Sequence, residues 1–322
     1  MGKKDVLTKM YLAQNEIFAD AFNYYLFDGK PLIKPSDLAE KDITELSAIY
    51  KTGKLFANQK FRDVLKLCNI KRYGQTTLVL LGIEGQADVH YAMPVRDYLY
   101  DALNYTAQVD DIKRNHEKAK DLNGAEKISG FSKEDHLLPV ITLCISFDNN
   151  AWDGPRSLYD MFGDIPEELL KYVNNYKLNL ITPNEISDFG RFNSELGTVL
   201  KFIQISDNKT ATRDILNSGG YENISTNTVN MINEYAGAKI STENAEGGRV
   251  NMGNAWKELM DDIRIEGRIE GRNEGRIEGQ SKGEDMLAKL LKKLDPGSTE
   301  FNKALNATSE ERQEMYLKYG IE

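Results

Sequence analysis

Apolar and polar positions change their spacing several times along the chain, and each change marks an element. Between residues 5 and 28, Ile17, Phe18, Phe22 and Leu26 recur at helical spacing, with Glu16, Asp20 and Asn23 at i, i+4 and i+7 as a polar stripe opposite them. This predicts one helix, its polar stripe in solvent, ending at the loop Asp28-Gly29-Lys30. A connector with Pro31 and Pro35-Ser36-Asp37 comes next. Two short apolar runs, one around Val64-Leu65 and one from Leu78 to Ile83, then flank a polar stretch containing Gly74, so residues 61–86 read as a hairpin. Pro94, tolerated in a first turn, opens a helix running to about residue 121. Gly124 and Gly130 mark a loop. Residues 138–147, rich in Val, Ile, Leu and Phe, predict another, central strand. Trp152-Asp153-Gly154-Pro155 is a turn into a short helix near Leu158, and residues 176–181 form one more strand. Helices are expected over 184–206, 209–218 and 225–237. The order helix, hairpin, helix, strand implies an α/β sandwich with a mixed central sheet.

Composition narrows the class. At 322 residues, with 40% hydrophobic and 28% charged residues, the chain has room for one sizeable soluble domain plus appendages. Cys68 and Cys144 both lie inside apolar runs, which suits small buried side chains in a reducing compartment rather than a disulfide framework. No signal-peptide core follows Met1-Gly2-Lys3-Lys4-Asp5, and the longest apolar stretch, Leu137 to Phe147, is too short to span a bilayer. A cytoplasmic protein without a membrane partner is the expectation. His90, His116 and His136 have no ligand spacing, and Cys-x-x-Cys pairs, a phosphate-binding glycine loop and a serine nucleophile elbow are missing. Zinc, nucleotide and serine chemistry are therefore poorly supported.

The candidate chemistry lies in the hairpin. Asp63 stands at the start of its first run, and the second run ends Ile83-Glu84-Gly85-Gln86. Paired strands would bring Asp63 near Glu84, and Gln86, two residues on, shares a face with Glu84. Mg²⁺ is commonly held by one or two carboxylates plus waters and substrate phosphates, so two acids suffice. An acid at a strand edge is more often merely solvated, and spacing alone does not choose between these readings.

A wider set of fragments does. Phe61-Arg62-Asp63, Gly82-Ile83-Glu84-Gly85-Gln86 and Met93-Pro94-Val95-Arg96-Asp97-Tyr98-Leu99-Tyr100 occur in this order. So do Phe18-Ala19-Asp20-Ala21-Phe22-Asn23-Tyr24-Tyr25-Leu26, Leu138 to Leu143, Trp152 to Pro155 and Tyr176 to Ile181. Over about residues 5–206 the chain resembles the recombination-promoting nuclease and putative transposase family, of the PD-(D/E)XK nuclease superfamily. The resemblance implies a restriction-endonuclease-like αβ sandwich and a Mg²⁺-dependent DNA endonuclease, with Mn²⁺ as a substitute metal. By it, Asp63, Glu84 and the Gly85 carbonyl would bind the metal. Gln86 would stand where the superfamily carries lysine and orient the attacking water through hydrogen bonds alone. Arg96, and with it Arg62 and Lys60, would contact phosphate, although pairing of Arg96 with Glu84 or Asp101 is an equal option; Tyr100 is expected to pack on the sheet. A catalytically degenerate module that binds DNA or protein, and a phage-defence nuclease, are the alternatives.

A net charge of −9 argues mildly against a polyanionic partner. Lys51, Lys54, Lys60, Arg62, Lys66, Lys71 and Arg72, with Asp63 the one acid among them, would form a local basic rim. Beyond a nuclease-like domain over 1–206 and a helical extension over 207–254, the sequence predicts a repeat helix at 255–294 and a short helical tail at 295–322. Ile265-Glu266-Gly267-Arg268 recurs with period four to Gln280. Each interior glycine costs a lone helix roughly 1 kcal/mol, and like charges stack at i, i+4. The segment is thus either a linker or a helix paired with a second copy, and pairing is the preferred expectation. In the tail, Pro296 breaks the chain and Ser309 is the expected cap of a last helix.

Overall fold

The computed structural model describes residues 2–40, 63–72, 75–217 and 219–321. Alternation in the hairpin produces two long strands, β2 (Val64–Arg72) and β3 (Gln75–Gln86), paired antiparallel with Val64 opposite Ile83; the expected turn at Gly74 lies outside the described residues. A short β1 (Leu38–Glu40) adds antiparallel to β2. On the other side β4 (Val140–Ser146) and β5 (Asn179–Ile181) add parallel, giving the order β1-β2-β3-β4-β5. Parallel neighbours need a long crossover. Between β3 and β4 it is α3 (Met93–Ala119), followed by the short α4 (Gly124–Ser129) where the glycines alone predicted a loop. The protein is therefore α/β with a mixed five-stranded sheet, and β4 is an interior strand.

Alternate residues of the strands serve opposite faces. Val64, Cys68, Val79, Leu81 and Ile83 share a core with Tyr11, Leu12, Phe18 and Phe22 of α1 (Lys3–Leu12) and α2 (Asn15–Phe27). Leu65, Leu80 and Val140 form a second cluster with Tyr105 of α3. Burial raises the Cys68 thiol to about 11, and both cysteines are free and buried.

Three expectations about α1 and α2 are corrected. The predicted single helix breaks at Ala13-Gln14, where Gln14 is extended. Lys66 occupies the break: its Nζ donates to the Ala13 carbonyl (2.6 Å) and to Asn15 Oδ1. Lys66 is 1% exposed, so it belongs to the interior rather than to a basic rim, and burial lowers the pKa of its amine. The polar stripe is also not solvated, except at Glu16. Asp20 accepts from the backbone N–H groups of Asn193 (2.8 Å) and Ser194 (2.9 Å), and Asn23 exchanges two 2.8 Å bonds with the backbone of Ile33.

Gly85 permits the approach of α1 to β3. A Cβ there would stand 2.5 Å from Thr8 Cγ2 and 3.0 Å from Leu12 Cδ1. Gly85→Ala should therefore destabilise the protein by about 1–3 kcal/mol, the usual cost of overpacking. Combining it with Thr8→Ser, which removes the obstructing methyl and keeps the hydroxyl bonded to Tyr235 (2.6 Å), should recover part of the loss in urea unfolding. No recovery would place the clash elsewhere.

The helix expected over 184–206 is shorter, because Pro183 and Gly190 lie in separate single turns ahead of α5 (Leu196–Gln204). Next come α6 (Lys209–Asn217), β6 (Ile224–Ser225), α7 (Thr226–Ala236) and β7 (Arg249–Val250). Leu216, Ile224, Val229, Ile232, Ile240 and Val250 join the core of α1 and α2. Glu195 ties this part together by accepting from Ser225 Oγ and Arg249, both at 2.6 Å.

The chain divides into two compact units, residues 1–256 and 257–322. In the second, Leu290 of α8 (Met252–Lys293) and Leu294 just after it pack with Ala304 of α9 (Thr299–Asn306) and Met315 and Tyr316 of α10 (Ser309–Tyr319). Thr308 caps α10, in a reciprocal arrangement with Glu311, one residue before the expected Ser309. Among the described residues, no helix is long and apolar enough to cross a membrane.

His116 closes the end of α3. Its Nδ1 faces Asp121 (2.7 Å) and its Nε2 faces Asp135 (2.9 Å), so both nitrogens donate only in the imidazolium form. Asp121 and then Asp135 raise its pKa above 6.5. Its stabilising contribution is then complete below pH 6.5 and lost as pH rises through the higher folded-state value. Amide exchange over residues 121–135, corrected for intrinsic rates, should be better protected at pH 6 than at pH 9, and His116→Gln should flatten that difference. Equal protection in the native protein would contradict the clamp.

Candidate active site at the end of the hairpin

The last ladder pair, Val64 and Ile83, puts Asp63 one step beyond, across from Glu84. Asp63 Oδ2 accepts the N–H of Gly85 at 2.9 Å, which holds its carboxylate against the peptide that follows Glu84. Glu84 is 0% exposed. Its Oε2 accepts from the Arg96 guanidinium in the first turn of α3 (3.0 Å), and Arg96 Nε donates to Tyr100 Oη (2.9 Å). Of the two pairings open to Arg96, Glu84 is the one formed. Asp101 instead accepts from Thr142 Oγ1 and from Tyr176 Oη (2.7 Å). Tyr100 is buried, as packing on the sheet requires.

The strand pairing fixes what lies alongside. Glu84 sits opposite Cys144 and Gln86 opposite Ser146, and all four are buried. Burial raises the Asp63 pKa, with the Gly85 N–H, Arg96 and Lys9 pulling the other way. Burial also works against the Arg96 charge, but Glu84, Tyr100 and Asp63 outweigh it and the pKa rises. Burial, then Asp97 and Glu84, push the Cys144 thiol well above its ordinary value, so it offers no thiolate.

Asp97 is a further acid at this end of the sheet, one that spacing in the hairpin does not reveal. It is 0% exposed and, with Glu84, acts on Cys144 and Tyr100. Its signal in the sequence is the row Asp97, Asp101, Asn104 and Gln108, polar residues at helical spacing that are all buried on α3. Lys60 and Arg62, and the basic positions Lys51 and Lys54, lie outside the described residues.

Neither a protein-family model, nor a curated protein, nor a solved structure matches the chain. The donors themselves decide what the site can hold. Among the described residues, no three His, Cys, Asp or Glu side chains gather as a metal-holding group. Asp63 and Glu84 are nonetheless hard oxygen donors of the kind Mg²⁺ takes in ones and twos. Arg96 already bonds Glu84 Oε2, so a cation on this carboxylate would bind through Oε1, share Oε2 or displace Arg96. Gly85 gives its N–H to Asp63, and its carbonyl would be the third oxygen.

Proposed function

We propose that the chain is a metal-dependent DNA endonuclease that hydrolyses phosphodiester bonds, on a restriction-endonuclease-like sandwich, in recombination or transposon-like biology. The observation that carries this reading is the meeting of Asp63 and Glu84 at one peptide, with the Arg96 guanidinium acting on both carboxylates. Asp63, Glu84 and the Gly85 carbonyl would hold Mg²⁺ or Mn²⁺. When bound, such an ion lowers the pKa of water and offsets charge on the phosphate. Gln86 shares the face of Glu84 and would position water by hydrogen bonding. Arg96, released from Glu84, would offer its planar fork to phosphate. The setting would be cytoplasmic.

A second reading is favoured by one specific feature. The closed Arg96–Glu84 pair is what a binding module that has lost its metal would keep. Incubating the full chain with supercoiled plasmid in Mg²⁺, Mn²⁺ or EDTA separates the two. Metal-dependent nicking supports the endonuclease. DNA retention without cleavage in either metal supports the module.

A further inference from the structure

Residues 265–280 of α8 are helical throughout, yet among the described residues of the second compact unit nothing packs on their glycines. Ile265, Ile269 and Ile277 are 52%, 55% and 62% exposed. Apart from the helix's own backbone, a Cβ added at Gly267, Gly271, Gly275 or Gly279 would meet nothing within 4 Å among the described residues. These glycines weaken the helix, and the described residues of this unit supply no packing on them in return.

The charges point to the surface that covers it. At about 100° per residue, the four positions of each repeat form four rows. The isoleucine row is flanked by the glutamates (Glu270, Glu274, Glu278) on one side and the arginines (Arg268, Arg272, Arg276) on the other. Neighbouring glutamates and arginines are two or six residues apart, so they cannot pair along their own helix at i, i+3 or i+4. Each row lacks a counter-row. When two such helices pair along the isoleucines, orientation decides the outcome. In parallel, each flank meets the opposite flank of its neighbour, as e and g positions do in parallel coiled coils, so glutamate faces arginine on both sides. In antiparallel pairing each flank meets its own kind, and like charges oppose. Asn273 interrupts the isoleucine row, the place where one polar residue fixes register. A row repeating every four residues, longer than the helical 3.6, also winds right-handed.

We infer that residues 265–280 form a parallel, in-register, right-handed pair with the same segment of a second copy, with Ile265, Ile269 and Ile277 at the seam and glutamate facing arginine along both edges. This is independent of the endonuclease reading. The test uses the full chain. Sedimentation should give a dimer, and Ile269→Cys and Ile277→Cys, each oxidised separately, should each give a disulfide-linked dimer. The native cysteines are buried and do not compete. Cross-linking only when the two variants are mixed would mean antiparallel pairing and overturn the inference, as would a monomer. Reversing one row, Glu270, Glu274 and Glu278→Arg, should weaken self-association at least roughly tenfold, since facing ion pairs become repulsive. Mixing that protein with the Arg268, Arg272 and Arg276→Glu variant should restore association. Failure of the mixture to pair would overturn the charge-matched arrangement.

Discussion

Asp63→Asn should abolish metal-dependent DNA nicking while leaving the fold intact. The two halves of that result have separate causes. The substituted amide would keep a side-chain carbonyl able to accept the Gly85 N–H, so the local hydrogen bond survives. It would lose the negative charge that a hard cation requires. Polarisation by a bound metal is worth several kcal/mol, and about 4 kcal/mol corresponds to roughly a thousandfold in rate. Nicking rates in Mg²⁺ and Mn²⁺, read beside urea unfolding, give both halves. A variant as active as the native protein would remove Asp63 from the metal site. A native protein that is inert but binds DNA would move the whole site to the binding-module reading.

Arg96→Met should cost about 3 kcal/mol of stability, near the lower end of the range for removing one partner of a buried ion pair. The lower end applies because the Arg96 side chain is 30% exposed while Glu84 has no contact with solvent. Arg96→Lys should lose less: it keeps the charge but not the Nε bond to Tyr100. Adding Glu84→Gln to Arg96→Met should give less than the sum of the two single losses, since the stranded charge is then gone. Additive losses in urea titrations would mean that the two side chains do not depend on each other.

The hairpin was legible because Leu78–Ile83 and Val64-Leu65 are apolar runs whose pairing needs no distant partner. Asp63 and Glu84 came with it, since pairing fixes which residues face one another. The role of Arg96 was not legible beyond two options: spacing on α3 places it with Tyr100 but does not say which strand lies beneath. Asp20 and Asn23 misled for a related reason. A polar row on a helix looks the same in water as against the backbone of residues 193–194, which for Asp20 are more than 170 positions away. Lys66 read as part of a basic run because its partners, Ala13 and Asn15, occupy a helix break that apolar periodicity does not register. Asp97 is legible only together with Asp101, Asn104 and Gln108, because a buried acid in a helix has no signal of its own.

Lys66 also offers a reporter. Amine-modifying reagents act on accessible uncharged lysines, and this amine is enclosed and bonded to a main-chain oxygen in the native state. Its modification would therefore time the parting of the first two helices from the sheet, while surface lysines on the same molecule react at once and calibrate the reagent.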